Sequence, residues 1–543
     1  MGKVQNRLHA NTAWVIGVCL IAAGLRCFHI DAPLADNLQA KQAYSSNKAR
    51  NIARAPFDPM RLSLDLLDDS GRAVELAEEV PLYIGLLGAM FAAWGESVIW
   101  GRALSIAGSL IALVAFFDLT RREHGERVAR VGVLLLACAP LFVFYGRAIM
   151  PDSWMLAMML TTAASFRRYL ENRKLRWLVL ACVAGALTGL FKYWGLMIVP
   201  VVADMVWRDR GRLALFRLDF LALAASIVLP TVLWIAFVFA PAPNPVQVGW
   251  VTGQPASPYL VLQQPSALWN RSFYAAFVSR FLVRDCGPIT AALLVAGVWL
   301  VVRRAVPVQF DARSLARWSV MGLLFYVLLA PKMIDHDYYE LMMLPAAVVW
   351  ASLGWLGCCD GLAKRAELTR FVSIRRLAGV SGSVVLALVV AVHSPWVSPG
   401  LFRLETGKVW LGNSLREATQ ANERVVAIGP GIALIVPLHY SGRTGWAVRA
   451  TELPTDWPAQ IERWRRLGAT TMGVYFDAKT KPAQRASYQP LIDSLRVIER
   501  VNASDIASKR GEGFEYVVLS LEGRGPDSTP SLTERAGDAG ILR

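Results

Sequence analysis

Four clusters of ionisable side chains stand beside apolar runs, and each holds residue types that handle protons or phosphates. "PLADNLQAKQAYSSNKARN" carries Asp36, Lys41, Gln42, Arg50 and Asn51, and the chain then runs on to Glu78 and Glu79 before Pro81. "YGRAIMPDSW" carries Arg147 and Asp152, and "FKYWG" carries Lys192. "PKMIDHDYYELMMLP" carries Lys332, Asp335, His336, Asp337 and Tyr338. A carboxylate within hydrogen-bond reach of a hydroxyl can take its proton. Cations can hold a phosphate and stabilise the charge it gains on leaving. Carboxylates and cations in one cavity therefore suit transfer of a group from a phosphate-linked lipid to a hydroxyl.

Each residue also has a plainer reading. Asp36 is equally a loop residue near a helix end. Asp152 follows Pro151 at a helix start, where an acid favours the first turn. Lys192 can snorkel to an interface, and Arg147 can do the same or pair with Asp152. His336 alone reads as a hydrogen-bonded turn residue, with Asp335 and Glu340 capping the next helix. A divalent metal held by the acids around His336 is a further alternative, although adjacent side chains do not easily share one ion. The chemistry itself requires no cofactor.

These clusters need elements to bring them together. The chain has 543 residues, of which 55% are hydrophobic, and a net charge of +16; its mean hydropathy is +0.39. Apolar runs alternate with short arginine-rich links, the pattern of a polytopic α-helical membrane protein. No basic stripe with interleaved aromatics points to nucleic acid. Seven cysteines, mostly in or beside apolar runs and without a CxxC pair, indicate neither a disulfide framework nor a zinc site.

Segments able to cross lie near 12–30, 101–120, 128–146, 151–168, 216–240, 286–302, 316–331, 339–358 and 377–394, with two short crossings in 176–207 turned at "FKYWG". The first is read as a retained helix, since no small-x-small cleavage site follows it. "RREHGERVAR", "RRYLENRKLR", "WRDRGR", "RRAVPVQFDARSLAR" and "KRAELTRFVSIRR" are basic links and belong on the cytoplasmic side. That placement makes 80–95 a juxtamembrane helix in the first outer loop. It gives about 11 crossings, with the N-terminus inside and all four clusters at the outer membrane face, where ionisable residues tend to line a wet cavity. Outside lie the first loop at 31–100, a Pro-rich loop at 241–285 and the turn at 331–338. The expected organisation is a membrane domain over 1–398, a small C-terminal α/β domain over 399–522, and a disordered tail over 523–543.

The order "ADNLQAKQ…KARN", "EVPLY", "GRALS", "RAIMPD" and "HDYYELMMLP" resembles that of the GT-C superfamily of polyprenyl-phosphate-sugar glycosyltransferases. More narrowly it resembles the bacterial protein-mannosyltransferase-like family that includes the aminoarabinose transferases. "YSGRTGW" near the C-terminus is similar to a segment of many such bacterial members. Glu79-Val80-Pro81 stands where the aminoarabinose transferases have Lys-Pro-Pro, so their sugar and lipid acceptor are not carried over.

The resemblance implies an inverting glycosyltransferase of the bacterial inner membrane, using an undecaprenyl-phosphate sugar on the periplasmic side. Its acceptor would be a glycan, lipid or protein. Asp36 would be the base, and Asp152 the acid that positions the acceptor or the base. Lys41, Gln42, Arg50, Glu79, Arg147, Lys192, Lys332, His336 and Tyr338 would contact donor phosphate or sugar. A secondary transporter or flippase is the rival, but such proteins tend to show paired halves and midplane charges, and neither is seen here.

Overall fold

The computed structural model describes residues 2–76, 79–238, 260–306, 308–367, 399–430, 433–449, 456–478, 480–502 and 513–522. The expected crossing at 377–394, the tail after 522 and Glu78 lie outside them. The membrane region is built from α1 (Gly2–Cys27), α2 (Gln39–Ala53), α3 (Leu82–Trp94), α4 (Val98–His124), α5 (Glu126–Cys138), α6 (Pro140–Tyr145), α7 (Asp152–Asn172), α8 (Leu175–Phe191), α9 (Ile198–Arg210), α10 (Leu218–Val238), α11 (Pro288–Val302), α12 (Ala312–Leu328) and α13 (Leu344–Glu367).

Among the described residues, three helices are long and apolar enough to cross by themselves: His9–Cys27, Val98–His124 and Leu218–Val238. A fourth span appears if Arg271–Asp285 and Pro288–Val302, bent by 111°, count as one. The other helices are shorter or carry more charge. At 13 residues, α3 reaches about 20 Å, too short for a hydrocarbon core of about 30 Å.

The expected single crossing at 128–146 is broken. Pro140 has no N–H to continue the ladder of α5, so α6 starts anew. Arg26 at the end of α1 bridges the break, donating to Ala137 O at 3.1 Å on one side and to Phe142 O at 3.0 Å on the other. Gly146 follows because a Cβ there would lie 2.4 Å from Arg26 Nε. This junction brings α1, α5 and α6 to one point and delivers Arg147 and Asp152 just beyond it.

Helices α11 and α13 meet backbone to backbone. A Cβ on Gly297 would stand 2.0 Å from Trp350 O, and one on Gly354 2.0 Å from Leu293 O. Small residues allow this approach, which carries helix association where lipid offers no hydrophobic drive. At the end away from the four clusters, the basic links are neutralised in networks. Arg168 pairs with Asp118 at 2.8 Å, and Arg317 with Glu123 at 2.6 Å and Asp204 at 2.9 Å.

Residues beyond 399 fold around a sheet, with α14 (Gly407–Glu417), α15 (Ile435–Ser441), α16 (Trp457–Arg466) and α17 (Pro482–Ser494). The strands are β3 (Arg424–Gly429), β4 (Gly445–Arg449), β5 (Ala469–Asp477), β6 (Arg496–Asn502) and β7 (Phe514–Ser520). Two further strands, β1 (Ser63–Leu67) and β2 (Ala73–Glu75), come from the first loop, and the order is β2-β1-β4-β3-β5-β7-β6. The sheet therefore takes strands from both sides of the boundary expected at 398/399. The strands alternate, as a two-residue period requires. Val426, Ile428, Met472 and Val474 pack with Ile461, Trp464 and Leu491 of α16 and α17. Val425, Ala427 and Tyr475 join the core that continues into the helical region.

Gly354→Ala should lower stability in detergent by about 1–3 kcal/mol, because its Cβ meets a backbone carbonyl that cannot move aside. Gly361→Ala, with nothing within 4 Å, should leave the thermal midpoint unchanged or slightly raised. Equal midpoints for the two variants would refute the close α11–α13 contact.

Candidate active site

Asp36 lies in the turn between α1 and α2 and is 3% exposed. Its Oδ1 accepts from Gln42 Nε2 at 2.6 Å and its Oδ2 from Arg147 Nη2 at 3.0 Å. Arg102, from the first turns of α4, stands 3.6 Å from the same Oδ2. Both arginines also donate to His29 O, at 2.6 Å from Arg102 and 3.0 Å from Arg147. Gln42 is fixed in turn, since its Oε1 accepts from Ile149 N at 3.2 Å. Arg147 is thus a partner of Asp36 and not of Asp152.

Asp152 opens α7 and is paired with Lys192, whose Nζ donates at 2.9 and 3.1 Å to its two oxygens. Both are buried. The same Nζ lies 4.3 Å from the Tyr338 ring centre and 5.5 Å from that of Tyr339. Cation and aromatic face attract one another, so the turn at 331–338 is drawn onto the α7–α8 pair.

Asp337 ties that turn to the first loop. It accepts from Asn37 Nδ2 at 3.2 Å, from Tyr145 OH and from Arg284 Nη2 at 2.5 Å. Glu340, expected as a cap, instead accepts from Arg280 Nη2 at 2.7 Å, and Arg280 also donates to Met333 O and to Ile334 O at 2.6 Å. Arg280 and Arg284 stand on a π-helical stretch, Ala276–Asp285. Asp337 and Glu340 are thus turned to arginines and Tyr145. Among the described residues no three His, Cys, Asp or Glu side chains are placed to hold a metal ion.

His336 is surrounded by cations. Burial and the charges of Lys332, Lys41 and Lys192 push its pKa down from the usual 6.5 to about 4, against a smaller opposing effect of Asp337. Its ring is stacked with Tyr339, with centroids 6.0 Å apart. Lys41, Tyr44, Ser45 and Lys48 form one stripe of α2, a spacing that puts them on one helix face. They line a small pocket whose other walls are Leu62, Leu76, Glu79, Val80, Tyr83 and Ile84, with Pro151 and Phe191 at the ends of α7 and α8.

Most of the residues singled out from sequence thus fall into one region. Asp36, Gln42 and Arg147 form one contact set; Asp152, Lys192 and Tyr338 form a second, close to His336 and its lysines; Lys41 and Glu79 line the adjoining pocket. Arg50 does not join them. Its guanidinium is taken by Glu96 at 2.6 and 2.8 Å and by Asp65 at 3.3 Å, linking α2 to β1 and the α3–α4 turn. Asn51 is likewise spent on Ser63 O at 2.8 Å. Sequence reasoning missed Arg102, Tyr145, Arg280 and Arg284. For Arg102 the signal was present, as a lone arginine in an apolar helix is a functional pointer.

Two histidines outside the spanning segments, half-buried His336 and buried His439, set a pH dependence. His336 is lowered to about 4, and His439 is held well below its usual range by burial first and Arg50 second. Between those values and 6.5 the unfolded chain binds more protons than the folded one, so stability falls as the pH drops. The thermal midpoint should decline from pH 7 to pH 5, and His439→Gln should flatten that decline. An unchanged slope would show that His439 is protonated in the folded protein.

Residues 79–235 match the family model of dolichyl-phosphate-mannose-protein mannosyltransferases. Among curated proteins the sequence has no match. The structure resembles ArnT from Cupriavidus metallidurans, with a TM-score of 0.60 in the apo state and 0.57 bound to undecaprenyl phosphate, at 14% identity over 95% of this chain and 100% of that one. It also resembles the Archaeoglobus fulgidus oligosaccharyltransferase tethered with an acceptor peptide, with a TM-score of 0.53 at 14% identity over 92% of this chain and 73% of that one. A third relative in fold is the arabinofuranosyltransferase AftD from Mycobacteria, with a TM-score of 0.53 at 13% identity over 94% of this chain and 40% of that one. Architecture and partial sequence match thus agree: the chain has the fold of these membrane glycosyltransferases, and its residues 79–235 are similar to the mannosyltransferase family.

Proposed function

We propose that the protein moves one sugar from an undecaprenyl-phosphate carrier to an acceptor hydroxyl at the periplasmic face of a bacterial inner membrane, crossing the bilayer about 11 times. The observation that carries this reading is the convergence of Lys41, Lys192 and Lys332 on His336, beside the two buried acids Asp36 and Asp152. A lipid phosphate needs that concentration of cations, and an acceptor hydroxyl needs a carboxylate. ArnT, with the same fold, has been seen bound to undecaprenyl phosphate.

Asp36 is the base in this scheme. A carboxylate offers about four lone-pair sites. Gln42 occupies one on Oδ1 and Arg147 one on Oδ2, which leaves a direction on Oδ1 for the acceptor O–H. As the proton passes to Asp36, the acceptor oxygen bonds to the anomeric carbon from the face opposite the phosphate. The bond from that carbon to the phosphate oxygen breaks, with inversion. The departing phosphate is neutralised by Lys41, Lys192 and Lys332, while His336, uncharged at neutral pH, and Tyr338 contribute hydrogen bonds and shape. Asp152 holds Lys192 in place and orients it. The acceptor is a glycan, lipid or protein of the envelope, and the region after 399 stands on the same side.

Purified protein in nanodiscs should bind undecaprenyl phosphate, and Lys192→Met or Lys332→Met should weaken that binding at least about tenfold, the worth of one charge-assisted contact. His336→Asn should change it by less than about threefold, because no positive charge is lost. Envelope glycans and lipids of a deletion strain, compared by mass spectrometry with the parent, should lack one sugar. Asp36→Asn should fail to restore that sugar while still binding undecaprenyl phosphate, and Asp36→Glu should restore about a hundredth of it. Wild-type restoration by Asp36→Asn would remove Asp36 from the role of base.

A further inference from the structure

The segment "YSGRTGW", residues 440–446, is outside the donor pocket, yet every one of its distinctive residues is engaged. Tyr440 OH accepts the backbone N–H of Leu34 at 2.7 Å, a residue 406 positions away and two before Asp36. Ser441 Oγ donates to Leu438 O at 2.9 Å and accepts from Arg443 N at 3.1 Å. Gly442 ends α15 at φ 64°, in the left-handed region. Arg443 Nη2 donates to Thr419 O at 2.8 Å. Gly445 pairs with Leu66 of β1, and a Cβ on it would lie 1.9 Å from Val425 O. Trp446 Nε1 donates to Asp68 O at 2.9 Å. One end of the segment therefore grips residue 34 and the other grips residues 66–68.

The neighbouring stretch completes the grip. Glu405 N donates to Ala35 O at 2.7 Å, Asn37 N donates to Leu401 O at 3.3 Å, and Gln39 Nε2 donates to Glu405 Oε2 at 2.8 Å. The peptide groups flanking Asp36 on both sides are thus held by residues 401–440. Leu34 is fully buried, so without the Tyr440 hydroxyl its N–H has no solvent to turn to, and an unsatisfied buried donor drives the backbone to shift. Phe402 closes the same spot from above, its ring centre 5.4 Å from the Arg147 guanidinium carbon.

We infer that Tyr440 is a positioning residue for Asp36, and that residues 401–446 are the fastener that sets the catalytic loop instead of a separate accessory domain. This rests on the reading of Asp36 as base. Burial raises the Tyr440 phenol to about 12, so it remains a neutral hydroxyl throughout the working range. Misplacement of a base by about 1 Å can cost about a hundredfold in rate.

The full-length protein with Tyr440→Phe provides the test. Amide hydrogen exchange followed by mass spectrometry should be at least about tenfold faster over 34–39, with 63–68 unchanged, since a buried amide loses its acceptor. Binding of undecaprenyl phosphate should stay within about threefold of wild type, and sugar incorporation in the deletion strain should fall about ten- to a hundredfold. Glu405→Gln, which keeps the Gln39 contact in uncharged form, should give a smaller change over the same peptide. If Tyr440→Phe does not fold, Glu405→Gln alone decides, and unchanged exchange at 34–39 in that variant overturns the inference. Trp446→Phe should instead speed exchange at 63–68. Wild-type incorporation by Tyr440→Phe, or unchanged exchange over 34–39, overturns the positioning role provided Asp36→Asn is silent. Wild-type incorporation by Asp36→Asn marks failure of the underlying reading.

Discussion

One carboxylate facing two buried guanidiniums is the constraint on which the rest of this molecule hangs. Asp36, Arg102 and Arg147 are all withdrawn from solvent, and ions taken out of water lose far more than they regain unless geometry and hydrogen bonds are complete. Here they come close to complete. Gln42 donates to the second carboxylate oxygen, and the carbonyl of His29 accepts a hydrogen bond from each arginine. The three charged groups come from the α1–α2 turn, the start of α4 and the turn after α6. Removing any one strands the others, so the site and the helical frame stand or fall together.

The broken helix α5–α6 gains its meaning from the same arrangement. A continuous helix would carry residues 140–147 along the axis of α5. The Pro140 break, sealed by Arg26, lets Tyr145 reach Asp337 and Arg147 reach Asp36 from adjacent positions. A second group of arginines, Arg280 and Arg284, performs the corresponding task for the turn at 331–340, pairing with Glu340 and Asp337. Around His336, Lys192 pairs with Asp152, and Lys332 lies within the charge of Asp335. The local field there is positive, and it holds the His336 pKa down.

Much of this was legible in the sequence, because membrane proteins expose their architecture in hydropathy and charge. The helical class and the clustering of the four polar groups at one end follow from apolar run length and the placement of arginines, and the family resemblance from the order of the motifs. What was not legible is which cation meets which anion. Arg147 and Asp152 are five positions apart in the chain and read as a pair, yet each finds its partner more than 39 residues away, at |i−j| of 111 for Arg147 with Asp36 and 40 for Asp152 with Lys192. Tyr145 and Arg102 sit inside apolar stretches, where a single polar residue does not disturb the pattern. Strands β1 and β2 are short and lie in a loop whose composition resembles a connector, and only their partner β4, more than 370 residues later, makes them strands.

That long-range pairing has a consequence for biogenesis. The loop bearing Asp36 is among the first parts of the chain to leave the ribosome, and the residues that hold it are among the last. Until Tyr440 and β4 have been synthesised and brought to the same side of the membrane, Leu34 and β1 lack their partners, and the loop bearing Asp36 is only half made. The fold around Asp36 therefore closes late, and a chain cut short before residue 440 lacks the partners of Leu34 and Leu66.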